Sequence, residues 1–123
     1  MDVNVVTWFE IPVNDMKRAQ TFYEKVFGLR MEPLDMGGMK MAWFPRDDTR
    51  PGTSGGLVEA QGKTPSREGT TVFFGVADID ATLSSEERSG GKVVMPKSGS
   101  EEQGAIALFE DTEGNLVALF SKR

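Results

Sequence analysis

Residues 9–28 read FEIPVNDMKRAQTFYEKVFG, and the reading of this stretch decides the fold. Its opening belongs to a longer run, VNVVTWFEIPV (3–13), whose β-branched and aromatic residues predict a strand. Asn14 or Asp15 then supplies an N-cap, and Met16, Ala19, Tyr23, Val26 and Phe27 recur at helical spacing. Gly28 stands where a helix C-cap favours a residue without a Cβ. Downstream, LRMEPLD (29–35) predicts a strand, Gly37–Gly38 a turn and KMAWF (40–44) another strand. A loop rich in Pro, Gly and Asp (45–56) precedes the short strand LVEA (57–60), and the polar QGKTPSREG (61–69) reads as a connector.

The same order then starts again. TVFFGV (71–76) is a strand, and Asp78 caps a helix carrying Ile79 and Leu83 that ends before Gly90–Gly91. KVVMP (92–96) is a strand, KSGSEEQG (97–104) a polar loop, and AIALFE (105–110) and NLVALF (115–120) are strands around the turn DTEG. At an offset of 63, Val13-Asn14-Asp15-Met16 falls on Val76-Ala77-Asp78-Ile79, Gly28 on Gly91, and Met31-Glu32-Pro33 on Val94-Met95-Pro96. At an offset of 59, Gly55-Gly56-Leu57-Val58-Glu59 lies over Gly114-Asn115-Leu116-Val117-Ala118. Identities are few, but the shared order and punctuation favour an internal duplication.

Composition bounds the function. A chain of 123 residues is expected to form one domain (1–123), with modules at about 1–60 and 68–123. A domain of this size hides roughly 67% of its unfolded surface, enough for a core without staples. Cysteine and histidine are both absent. Disulfides, thiolate metal sites, cysteine nucleophiles and every histidine-dependent triad are therefore excluded. Net charge is −5, with nine acids and eight bases through residue 63 and ten acids and six bases beyond it. Neither half carries a basic stripe, so no nucleic-acid partner is expected. No signal-peptide pattern opens the sequence and no apolar run approaches the ~20 residues of a membrane span. A cytoplasmic protein without a membrane partner is the default expectation.

FEIPVNDMKRAQTFYEKVFG, GGKVVMP (90–96) and ALFEDTEGNLVALF (107–120) together resemble the glyoxalase, bleomycin-resistance and extradiol-dioxygenase group, the vicinal oxygen chelate superfamily. The resemblance spans nearly the whole chain. It implies an α+β fold of two βαβββ modules forming a curled mixed sheet, with helices on the convex face. It also implies a cavity that is usually completed in a homodimer, and in the family's enzymes a divalent metal held by His and Glu side chains. The first ligand position is Trp8 here, and its second-module equivalent is Thr71. The last ligand position is Ala118, and the offset of 59 makes Glu59 its internal counterpart. One carboxylate does not make a dedicated metal site, which takes several ligands and a supporting shell. No metal and no other cofactor are expected.

Strand alternation sorts the candidate site residues. Phe9, Ile11 and Val13 share the face under the first helix, so Trp8, Glu10 and Pro12 point into the concave side. Val72, Phe74 and Val76 lie under the second helix, which sends Thr71, Phe73 and Gly75 inward beside Leu116, Ala118 and Phe120. Leu57 and Glu59 follow inward through their alignment with Leu116 and Ala118. The inner side of strand 40–44 is either Met41 with Trp43 or Ala42 with Phe44. The expected ligand-binding set is thus Trp8, Glu10, Leu57, Glu59, Thr71, Phe73, Ala118 and Phe120.

Each candidate has a plainer reading. Trp8 either stacks on a planar ligand or fills a vacated metal site as core. Glu59 and Glu10 either meet a ligand or sit exposed at an edge or rim. The methionines form an adaptable binding wall or ordinary core filling. Asp15, Asp78 and Asn115 read as cap and turn residues, and Glu86-Glu87-Arg88 as a solvated face. Three functions compete. One is a metal-free protein that binds a small organic molecule, planar or cationic, in an aromatic, acidic cavity. Another is a lyase or isomerase using Glu59 with Glu10, or a metal site rebuilt from other residues. The third is an association module.

Overall fold

The computed structural model describes residues 4–100 and 102–122. In chain order these form β1 (Phe9–Pro12), α1 (Met16–Phe27), β2 (Glu32–Met36), β3 (Met39–Trp43), β4 (Gly55–Glu59), β5 (Val72–Gly75), α2 (Ile79–Arg88), β6 (Lys92–Ser100), β7 (Gly104–Glu110) and β8 (Leu116–Ser121). The strands make two four-stranded mixed sheets, ordered β1-β4-β3-β2 and β5-β8-β7-β6. In each sheet the strand before the helix pairs in parallel with the last strand, and the remaining pairs are antiparallel. None of the described helices is long and apolar enough to cross a membrane.

Local chemistry explains the helices. Asp15 accepts the Arg18 N–H at 3.1 Å, and Asp78 accepts the Ala81 N–H at 3.1 Å, each satisfying an otherwise orphaned donor in the first turn. Gly28 ends α1 at φ 62°, a left-handed conformation that a Cβ disfavours. The apolar stripe of α1, Met16, Ala19, Phe22, Tyr23 and Val26, is buried as its spacing predicts.

The backs of both sheets and both helices share one core. Ile11, Ala42, Phe44 and Leu57 come to it from the first sheet, and Ala105, Ala107, Phe109, Val117 and Leu119 from the second. Phe9, Val72, Phe74 and Val76 pack against it, as alternation predicts. Phe74 reaches across to the first half, with ring centroids 4.6 Å from Phe27 and 5.8 Å from Phe9. The opposite faces, called the fronts here, are turned away from that core.

Two strands differ from expectation. The strand expected over 3–13 is paired only at Phe9–Pro12, and Val3 lies outside the described residues. The physical reason is the partner: β4 begins at Gly55 opposite Phe9, so residues 4–8 have no neighbouring strand. Conversely, β6 runs to Ser100 through the expected loop, pairing with β7 despite register shifts between Val93 and Ser98. The expected charged face at Glu86 is also corrected. Ile79, Leu83 and Glu86 form the buried stripe of α2, and Glu86 is 0% exposed.

Candidate functional site

The front of the first sheet carries the sharpest grouping of polar and aromatic chemistry. In register, Glu10 stands opposite Gly56, Pro12 opposite Val58, Met41 opposite Val58 and Trp43 opposite Gly56. Met41 and Trp43 therefore take the front, while Ala42 and Phe44 go to the core. Trp8, just before β1, meets Trp43 edge to face, with centroids 5.3 Å apart at 74°. Such a pair contributes about 0.5–1.5 kcal/mol beyond its buried area. The Trp8 indole N–H donates to Glu10 Oε2 at 3.3 Å, and Lys63 Nζ lies 3.9 Å from Glu10 Oε1. Glycine at position 56 is what lets Trp43 lie down on the sheet. A Cβ there would stand 2.9 Å from Trp43 Cδ1 and 2.9 Å from the Ala42 carbonyl oxygen.

The front of the second sheet is apolar. Phe73 stands opposite Ala118, and Phe120 opposite both Gly75 and Ile106. Phe73 is 55% exposed, Phe120 37% and Ile106 36%. Thr71 lies just before β5 and is half-buried. Arg67 from the connector bridges to Glu110 at 3.4 Å.

The expected site residues thus divide three ways. Trp8 and Glu10 are on the first front, Phe73, Ala118 and Phe120 on the second with Thr71 at its edge just before β5, and Leu57 and Glu59 on neither. Leu57 pairs with Ile11, is fully buried and belongs to the core. Glu59 is two residues on, on the same back face, where its Oε1 accepts the Met16 N–H at 2.8 Å at the start of α1. The cause is register. Gly55 stands opposite Phe9 and Val117 opposite Val72, which sets β4 and β8 62 residues apart rather than 59. A slip of three, being odd, exchanges the two faces of a strand. The internal counterpart of Ala118 is therefore Gly56, and that of Glu59 is Ser121. Glu10 and Glu59 lie on opposite faces of one sheet, so they do not form the acid–base pair expected of them.

The positions assigned to metal by resemblance are Trp8, Thr71 and Ala118, with Gly56 completing the set. Among them they offer one hydroxyl and no carboxylate or imidazole, a donor set that does not fit Zn²⁺, Fe²⁺ or Mg²⁺. Trp43 covers Gly56, so the first-sheet half of that site is occupied by indole. A cleft of about 1110 Å³ lies elsewhere, between residues 4–7 and the loop 45–54.

The sequence reading missed the chemistry of the DTEGN turn. Asp111 Oδ1 accepts the N–H groups of Glu113 and Asn115, and its Oδ2 accepts the Tyr23 hydroxyl at 2.7 Å. Burial first, and the Asp111 charge second, push the Tyr23 phenol well above its ordinary range. Asn115 Nδ2 donates to the Pro12 carbonyl at 2.8 Å, tying the turn to β1. Glu113 accepts from the Asn14 and Asp15 N–H groups and from Arg18. Burial works to raise its pKa, but Arg18, Thr112 and those N–H groups outweigh it and hold the carboxyl below its usual range. The available signal was the density of Asp, Glu and Asn in one turn, which is equally common in solvated turns.

The family described as bleomycin resistance protein-like N-terminal matches residues 6–44, which span β1 through β3. A glyoxylase-like domain-containing protein of Didymella fabae is 29% identical over 124 residues, covering 95% of this chain and 93% of its own. The chain is thus similar in sequence to bleomycin-resistance-like and glyoxylase-like proteins. Solved glyoxalase and bleomycin-resistance structures share its fold. A glyoxalase/bleomycin resistance protein from Albidiferax ferrireducens T118 superposes with TM-score 0.73 at 17% identity, over 98% of this chain and all of the other. A glyoxalase I mutant from Zea mays gives TM-score 0.74 at 22% identity over 94% of this chain. That match covers 46% of the maize protein, so the chain spans about half its length. The α+β architecture of two mixed sheets with two helices is that of these glyoxalase-like neighbours, with the sheets left open.

Proposed function

We propose that this chain is a glyoxalase/bleomycin-resistance-like protein that binds a small planar organic molecule on the front of its first sheet, without the metal that the enzymes it resembles use. One observation carries the reading: Trp8, at a position the resemblance assigns to a metal ligand, meets Trp43 edge to face, Trp43 lies against Gly56, and Glu10 stands beside Trp8. Indole faces offer stacking area, and a carboxylate at their edge offers a directional acceptor. The lyase or isomerase reading loses its second carboxylate, because Glu59 is spent on the first turn of α1.

We propose in addition that the protein works as a homodimer. Phe73, Phe120 and Ile106 form an exposed apolar front in the single chain, and a second copy would cover it. Light scattering is expected to report twice the 13.5 kDa chain mass at micromolar concentration; a single-chain mass would remove the dimer. The net charge of −5 works against binding to nucleic acid or to an anionic membrane surface, and a cytoplasmic protein with neither as partner is part of the proposal.

The binding test is a thermal-shift series with planar heteroaromatic compounds and, separately, with Mg²⁺, Mn²⁺, Zn²⁺ and Ni²⁺. Stabilisation by a compound that is lost in Trp8→Ala and Trp43→Ala supports the reading. Stabilisation by a metal alone, or compound binding indifferent to both substitutions, overturns it.

A further inference from the structure

Glu10 is engaged before any ligand arrives. Oε2 holds the Trp8 indole N–H, and Oε1 faces the Lys63 ammonium 3.9 Å away. Lys63 comes from the connector between β4 and β5, and its chain is anchored by a bond from its N–H to the Ala60 carbonyl at 3.1 Å. Both side chains remain partly open, at 50% for Lys63 and 35% for Glu10, so a ligand can reach either charge. A simple aromatic cation on the indoles would compete with Lys63 for one carboxylate and would leave the displaced ammonium beside a second positive charge. A simple anion would reach Lys63 at the cost of facing Glu10. A molecule carrying both charges satisfies both side chains at once.

We propose that the ligand class of this face is a planar zwitterion, an aromatic ring with one cationic and one anionic group. Lys63 is then the residue that selects against simple cations. The proposal rests on the reading of the first front as the ligand surface and adds the charge of the ligand to it. Partly exposed ion pairs of this kind discriminate modestly, about twofold to fivefold in affinity.

The chain holds two tryptophans, Trp8 and Trp43, and both are on this face, so selectively excited tryptophan fluorescence reports this surface alone. Three pyridine probes share one ring and differ in charge: the N-methylnicotinamide cation, the N-methylnicotinate zwitterion and the nicotinate anion. The parent protein is expected to show saturable quenching, with the zwitterion bound about twofold to fivefold more tightly than the cation. In Lys63→Gln that preference should vanish or reverse, with the cation gaining affinity, and in Glu10→Gln the order should move toward the anion. Saturable quenching with the same order and affinities in Lys63→Gln overturns the zwitterion class while leaving the ligand surface in place. Linear, unsaturable quenching by all three probes in the parent overturns both.

Discussion

Arg18 on α1 forks onto Glu113 in the β7–β8 turn, Nε to Oε2 at 2.7 Å and Nη2 to Oε1 at 2.9 Å, across 95 residues of chain. The carboxylate end is fully buried while the guanidinium is half-exposed. The contact fastens the start of the first helix to the last turn of the second sheet, and Glu113 also takes two backbone N–H groups there.

Glu113→Gln should therefore destabilise the protein by about 2 kcal/mol, the scale of a lost hydrogen bond to a charged group. Because the folded pKa of Glu113 is depressed, its contribution is present above the ordinary carboxylate value and is lost as pH falls through the lowered one. Urea unfolding at pH 7 and pH 3 is the measurement. The gap between parent and variant should shrink at the lower pH, and an unchanged gap would contradict the assignment.

Glu86 gives the opposite slope. Neither of its carboxylate oxygens has a hydrogen-bond partner, and burial, reinforced by the Glu87 charge, raises its pKa from 4.5 to about 7. A raised folded pKa contributes stability below the unfolded value that is lost as pH rises through about 7. The contribution amounts to about 3 kcal/mol between those limits. Parent stability should accordingly fall between pH 5 and pH 8, and Glu86→Gln should flatten that limb. A variant whose stability still falls as steeply would locate the proton elsewhere.

Glu59→Ala tests the corrected position of that carboxylate. Losing an acceptor at the first turn of α1 should cost about 1 kcal/mol, with Glu59→Gln costing less because it keeps an oxygen. Ligand affinity on the first front should not change in either variant. A selective loss of binding at normal stability would return Glu59 to the site.

Gly56→Ala should disturb Trp43 more than the fold around it. The new methyl group meets the indole and a backbone carbonyl, overpacking that costs about 1–3 kcal/mol. Tryptophan emission should shift to longer wavelength as the Trp8–Trp43 contact opens. Emission identical to the parent's would mean that Trp43 does not rest on Gly56.

Much of this was legible in residues that act locally. The caps at Asp15 and Asp78, the stop at Gly28 and the faces of β1 and β5 follow from spacing within a few residues. The methionines show where local reading stops. Met16, Met31 and Met41 are buried while Met36 is exposed, and nothing in their spacing separates them. Glu86 is a second case, since its neighbours Glu87 and Arg88 made the whole run look solvated.

The sequence by itself determined the order of the strands and helices and which side of β1 and β5 faces the core. Those properties depend on side-chain periodicity and on caps one turn away. Only the tertiary structure decided the pairing of β4 with β1, because register is a relation between segments some 45 residues apart, and one odd slip moves every side chain to the other face. That register took Leu57 into the core and Glu59 to the first turn of α1, and it put Gly56 where Trp43 could cover it.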